Sequence, residues 1–180
     1  MAKRLLDHVV VVDVEATCWD GPVPEGQVNE IIEVGVCLLE VATGERSERR
    51  GILVKPERST VSAFCTELTT LTQEDVDGGV TFAEACAELK HYQSARRVWA
   101  SYGDYDRLQF ERQCTETGVK YPFSPKHVNV KTLFALKNKL TGEVGMARAL
   151  ELANRELVGT HHRGVDDAWN IAGLLGELLA

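Results

Sequence analysis

The sequence predicts an α/β protein: a mixed five-stranded sheet whose first three strands form an antiparallel meander, with helices on both faces. Val9 to Val12 is an unbroken valine run, which reads as a central strand buried on both sides. Two more strand-like segments follow it, the first of them mostly apolar and β-branched at its start, and the short Thr43-Gly44 connection between them is of the sort that makes neighbouring strands antiparallel. From Thr81 onward, segments of helical period alternate with short strand-like ones, which places helices over the sheet.

The first strand runs through Val9 to Glu15, and the following Cys18 to Asn29 carries the loop residues Gly21, Pro22, Pro24 and Gly26. Ile31 to Leu39 is the second strand, Thr43-Gly44 the turn, and Arg46 to Lys55 the third strand, stopped by Pro56. Val61 to Gly79 is expected to be irregular, punctuated by Phe64, Cys65 and Leu68. Thr81 and Glu84 form a capping box, and Phe82, Ala85, Cys86, Leu89 and Tyr92 keep helical spacing behind it. A short fourth strand at Val98 to Ala100 turns at Ser101-Tyr102-Gly103 into a helix from Asp104 to about Gly118. A fifth strand at His127 to Val130 precedes helices near Thr132 to Lys139 and Gly145 to Arg155. The last helix, Val165 to Leu179, presents Ile171, Leu174, Leu175 and Leu178 as an apolar stripe. No Pro/Gly/Ser-rich linker divides the 180 residues, so a single domain over 1–180 is expected. The order of elements fits the ribonuclease-H-like architecture, a fold that does not by itself fix a reaction.

A formal charge of −7 argues against a salt-driven grip on long duplex nucleic acid, although basic residues cluster locally at Arg46/Arg49/Arg50, Arg96/Arg97 and Lys131/Lys137/Lys139. The five cysteines are scattered, with no Cys-x-x-Cys pair and no zinc-type Cys/His spacing, which implies reduced thiols. Beside Met1-Ala2-Lys3-Arg4 there is no apolar run of signal-peptide or membrane-spanning type, so no membrane association and a cytoplasmic location are expected.

Chemistry is concentrated in carboxylates. Asp13 and Glu15 are two apart on a strand and so share a face at its exit from the core. Two like charges held that close call for a cation. Asp104/Asp106 and Asp166/Asp167 stand at helix starts, where acidic residues commonly cap free N–H groups. Helical spacing separates each pair: Asp167 stacks over Ile171 and Leu174, and Asp106 over Phe110 and Cys114, whereas Asp166 lines up with Asn170 and Asp104 follows Gly103. Asp106 and Asp167 therefore join Asp13 and Glu15 as a candidate site, with Asp104 and Asp166 as caps or solvent-facing groups. Four such carboxylates, if the fold brings them together, suit Mg²⁺ or Mn²⁺, two ions about 3.5 to 4 Å apart clamping the attacking and leaving oxygens of a phosphodiester. His162, five residues before Asp167, could act as general base on the attacking water, but the adjacent His161 has the same chemistry.

Asp-Val-Glu-Ala-Thr-Cys at 13–18, Asn-Glu-Ile-Ile-Glu at 29–33, Phe-Cys-Thr-Glu-Leu-Thr at 64–69, Tyr-Gly-Asp-Tyr-Asp at 102–106 and His162 through Asp167 occur in that order. From Val9 to Leu175 the chain resembles the histidine-bearing branch of the DEDD exonucleases, nearest to the enhanced-RNAi and histone-mRNA 3′ exonuclease group and its bacterial KapD-type relatives. The resemblance implies a 3′-to-5′ exonuclease that releases 5′-mononucleotides with two divalent ions. Asp13 would bridge both ions, Glu15 and Asp167 would help hold the nucleophile-side ion, and Asp106 would support the second through water. The spacing of the family motif selects His162 as base. By the same likeness, Ala16 and Thr17 would meet the terminal nucleotide, and Phe64, Leu68 and Tyr105 would sandwich its base.

Tyr105 stands where animal members tend to carry tryptophan. Those members also carry a small N-terminal nucleic-acid-binding domain, which is not expected in this sequence, where the catalytic domain starts almost at Met1. With the acidic charge, this points to short single-stranded ends rather than a large structured RNA. The partner expected is a single-stranded 3′ end, RNA in preference to DNA. Two alternatives stand beside this reading: a non-catalytic nucleic-acid-binding module of the same fold, and an oligoribonuclease-like phosphodiesterase acting on dinucleotides.

Overall fold

The computed structural model describes residues 5–180; the basic start at residues 1–4 lies outside them. Five strands form one sheet: β1 (Leu5–Ala16), β2 (Ile31–Glu40), β3 (Arg46–Leu53), β4 (Arg97–Ser101) and β5 (His127–Asn129), in the order β3-β2-β1-β4-β5. β1, β2 and β3 pair antiparallel; β4 is parallel to both β1 and β5. This is the expected mixed sheet with its leading meander, and the valine strand is its centre.

Alternation along β1 builds two cores. Val10, Val12 and Val14 face α3 (Phe82–Glu88) and α4 (Tyr105–Thr117), packing with Phe82, Phe110 and the stacked Trp99–Phe123 pair. Val9 and Val11 face the opposite layer, packing with Phe134 of α5 (Val130–Lys137), Leu150 of α6 (Met146–Leu152), and Ile171, Leu174 and Leu175 of α7 (Gly164–Leu179). Asp13 and Glu15 continue the Val9/Val11 side, so the strand's carboxylates fall on the face that α7 covers.

Helix α7 reaches the sheet very closely at its start. A β-carbon on Gly35 would land on the Gly164 carbonyl, and one on Gly164 would lie 3.0 Å from the Asp13 carbonyl oxygen. Glycine on both sides of this contact lets the helix begin directly over the end of β1.

The stretch 61–79, expected to be irregular, instead holds two short helices, α1 (Ala63–Thr69) and α2 (Gln73–Asp77). Both start on side-chain caps: the Ser62 hydroxyl accepts from the Cys65 N–H, and Thr72 with Asp75 completes a capping box. The apolar pattern hides α1 because its large residues, Phe64 and Leu68, point outward while Cys65 and Thr69 are buried. The fifth strand ends one residue early, at Asn129, whose side chain accepts from the Thr132 N–H and starts α5 at Val130. Among the described residues no helix is long and apolar enough to cross a membrane.

Candidate active site

The carboxyl end of β1 opens into a cleft of about 340 Å³, lined by Asp13, Val14, Glu15, Tyr102, Tyr105, Asp106, Gly145, Met146, His161, His162 and Asp167. Asp13, Glu15 and Asp167 each offer a carboxylate oxygen, and these oxygens lie within 4.8 Å of one another. Asp167 is in the first turn of α7, one turn before Ile171 on the buried stripe. Its neighbour Asp166 turns away, accepting from the Thr160 N–H at 2.7 Å and pairing with Arg49.

Asp106 comes from the other layer. It lies in the first turn of α4, whose Phe110 and Cys114 belong to the opposite core, and its Oδ1 accepts from the Val14 N–H at 2.9 Å. β1 outruns its parallel partner here, since their register ends at Val11 and Ala100; Asp106 takes up a strand N–H that β4 does not reach. It lines the cleft but is not among the three clustered carboxylates. Asp104 occupies the N-cap position of α4 without a capping bond and instead pairs with Arg107 at 3.2 Å.

The two histidines differ in what they touch. His161 Nδ1 lies 3.0 Å from Asp167 Oδ2, and the His162 backbone N–H donates to the same oxygen at 2.9 Å. The His162 ring stacks on His161, with centroids 3.9 Å apart, and makes no side-chain hydrogen bond among the described residues. His162 sits in the left-handed backbone region at φ 62°, an unusual conformation for a non-glycine residue that turns its ring into the cleft.

Burial governs the electrostatics, and the neighbouring charges come second. Burial, then Asp106, Glu15 and Asp167, push the Asp13 carboxyl well above the usual carboxylate range. Burial and the Asp167 and Glu33 carboxylates raise Glu15 to about 8. Burial lifts Asp106 to about 6 against the pull of the Val14 N–H bond. Asp167 is raised by burial, with His161 and the His162 N–H opposing. Burial, and then His161, lower His162.

The exonuclease family model matches residues 10–175, a span that includes every residue of this cleft. The chain belongs to the exonuclease family. This exonuclease-family chain is 32% identical to human 3′-5′ exoribonuclease 1 over 189 residues, covering 99% of itself and 54% of that protein. It is 26% identical to the Drosophila melanogaster 3′-5′ exonuclease Snipper, covering 99% of itself and 72% of Snipper. It thus spans about half the length of the mammalian exoribonucleases it matches. Among solved structures, the nuclease domain of 3′hExo, a DEDDh family member, bound to rAMP superposes with a TM-score of 0.83 at 30% identity, covering 99% of this chain and 94% of that one. The 3′-exonuclease on the histone mRNA stem-loop superposes at 0.86 with 29% identity, covering 98% of this chain and 65% of that one. The mixed sheet and its helices are therefore those of the ribonuclease-H-like DEDDh exonucleases.

In this family member the donor set fits a divalent cation. Asp13, Glu15 and Asp167 offer only hard oxygens, burial and then neighbouring carboxylates raise their pKa values, and the Arg163 guanidinium that lowers Glu15 is already paired with Glu33. His161, His162 and Asp167 form a second cluster of possible ligand atoms that shares Asp167 with the first.

Of the expected nucleotide contacts, Tyr105 lines the cleft, 56% exposed. Phe64 and Leu68 lie outside its wall, one turn apart on α1. That helix is held against the exit of β1, where the Ser62 hydroxyl donates to the Cys18 carbonyl and the Cys65 thiol to the Ala16 carbonyl. Ala16 is buried at a register shift. Thr17 is fully buried, and its hydroxyl donates to the Val28 carbonyl and accepts from the Glu30 N–H. Sequence reasoning missed Tyr102, Gly145 and Met146 as wall residues; they come from a turn and a helix start that nothing local links to β1.

Proposed function

We propose that this chain is a metal-dependent 3′-to-5′ exonuclease, a single catalytic domain over residues 1–180. It hydrolyses phosphodiester bonds at single-stranded 3′ ends, RNA in preference to DNA, and releases 5′-mononucleotides. The observation that carries the reading is the convergence of Asp13, Glu15, Asp106, Asp167 and His162 on one cleft. The exoribonuclease relatives and the rAMP-bound neighbour support RNA as the substrate. The five free cysteines support a reducing, cytoplasmic setting.

Asp13, Glu15 and Asp167 would hold Mg²⁺ or Mn²⁺, and Asp106, on the same cleft, would help to hold a second ion. The ions would supply charge compensation at the attacking and leaving oxygens of the phosphate. His162 takes the proton of the attacking water at a ring nitrogen, and burial favours the neutral form that can accept it. Asp167 accepts the His162 N–H and so orients the base as well as contributing to the ion site. Water adds to phosphorus as the bond to the 3′ oxygen breaks, and the leaving 3′ hydroxyl takes its proton from solvent. Phe64, Leu68 and Tyr105 present exposed apolar surface for the terminal base, and Ala16 and Thr17 give the strand exit a fixed backbone against which the nucleotide docks.

The test is a time course on matched 3′-labelled and 5′-labelled RNA and DNA strands with Mg²⁺, with a dinucleotide and a ten-nucleotide strand compared in parallel. Stepwise shortening from the 3′ end with mononucleotide product is expected. Binding without shortening would instead identify a non-catalytic module, and turnover confined to the dinucleotide an oligoribonuclease-like enzyme.

A further inference from the structure

Glu33 ends the Asn29–Glu33 motif, and no part of the hydrolytic reaction uses it. It is 1% exposed, and the register of β1 against β2 sets it directly opposite Glu15. Like charges directly opposite each other across a sheet repel. A fifth carboxylate buried beside four others therefore needs a partner, and it has one. Glu33 accepts from Arg163 Nε at 3.1 Å, from Arg163 Nη2 at 3.2 Å and from the Gly164 N–H at 2.8 Å. All three donors belong to the junction between His162 and α7. The Arg163 carbonyl in turn accepts from the N–H groups of both Asp166 and Asp167.

We propose that the Glu33–Arg163 pair is a positioning device: it pins the start of α7 to β2 and thereby sets His162 and Asp167 against Asp13 and Glu15. The proposal rests on the exonuclease reading above for its kinetic consequence, though not for its structural one. The pair spans the segment between base and carboxylate, so a shift of the junction moves both together. The glycine contact of Gly35 with Gly164 allows the close approach, and the ion pair fixes its register along the strand. Arg163 also reaches the Thr70 hydroxyl at 3.4 Å, tying the same junction to the end of α1.

The test uses the Glu33→Gln and Arg163→Gln single variants and the Glu33→Gln/Arg163→Gln double variant. The double variant leaves no unpaired buried charge and keeps an acceptor for the Gly164 N–H, so it remains interpretable if a single variant fails to fold. For the folded double variant with Mn²⁺ and a short RNA strand, kcat is expected to fall about 10- to 100-fold. KM should change less than about threefold, because nothing the strand touches is removed. Amide exchange at residues 162–167 should rise about tenfold while exchange at Val9 to Val12 stays as in the wild type. A folded double variant with wild-type kcat, or with unchanged exchange at 162–167, would overturn the proposal. If the wild type released no nucleotide at all, the exonuclease reading would fall, and exchange alone would decide the pair.

Discussion

At the scale of single residues, Asp166 and Asp167 are the sharpest contrast. They are adjacent and both acidic in the first turn of one helix, yet Asp167 faces Asp13 and Glu15 while Asp166 bonds the Thr160 N–H and Arg49. Asp13→Ala and Asp167→Ala should each abolish Mg²⁺-supported nucleotide release, a loss of at least about 10³-fold, because each removes a carboxylate that would hold the cation compensating negative charge in the transition state. Asp166→Asn should keep turnover within about threefold and cost stability of order 1 kcal/mol, since one of its contacts is a backbone N–H. Parallel melts and single-turnover rates check both. For His162 the sign follows from its role: protonation removes the base, so kcat/KM should fall toward acid, with its midpoint below the ordinary histidine value of about 6.5. A His162→Ala variant should lose that acid limb together with most of its rate. If the limb persisted unchanged in the variant, the proton would go elsewhere.

At the scale of elements, the glycine seat under α7 decides where the chemistry sits. Gly35→Ala puts a methyl group onto the Gly164 carbonyl, in a place where neither backbone can yield without lifting the helix. A stability loss of about 1–3 kcal/mol is expected from such overpacking. Turnover should fall out of proportion to it, because the displaced turn carries His162 and Asp167. A crystal structure of the variant, or its kcat at a temperature where it is fully folded, would test this. Local periodicity made most elements legible in the sequence: the valines of β1, the capping box of α3 and the stripe of α7 all act within one or two turns of themselves. α1 and α2 escaped because caps start them while exposed Phe64 and Leu68 invert the apolar pattern of α1.

At the scale of the whole molecule, the cluster sets stability against function. Glu15 at about 8 and Asp106 at about 6 lie above the carboxylate values of an unfolded chain. For a group whose folded pKa is raised, its contribution is full below the unfolded value and is lost as pH rises through the folded one. Metal-free protein, with chelator present, should therefore lose stability steadily from about pH 4 to above pH 8, by an amount on the order of a few kcal/mol at about 1.4 kcal/mol per pKa unit. His127 runs the other way, since burial lowers it and its contribution fades toward acid. Comparison with Glu15→Gln isolates the carboxylate part: the variant should melt higher than wild type without metal at pH 8, and the gap should close at pH 4. Mn²⁺ should raise the wild-type melting temperature more at pH 8 than at pH 6, and should raise that of Glu15→Gln far less. Melting curves across pH, with and without Mn²⁺, give all of these outcomes.

The sequence by itself determined the sheet, its central strand, and which member of each acidic pair belongs to the cleft. Those follow from spacing along one element, where side-chain direction is set by a period of two or of 3.6 residues. The tertiary structure decided what lies between elements. Asp106 reaches β1 from the opposite layer through the Val14 N–H, His161 rather than His162 takes the Asp167 carboxylate with its ring, and Glu33 meets Glu15 across the register and Arg163 across the helix junction. No local pattern encodes these contacts, because each depends on the register and close approach of segments separated by many residues, which only packing the whole chain establishes.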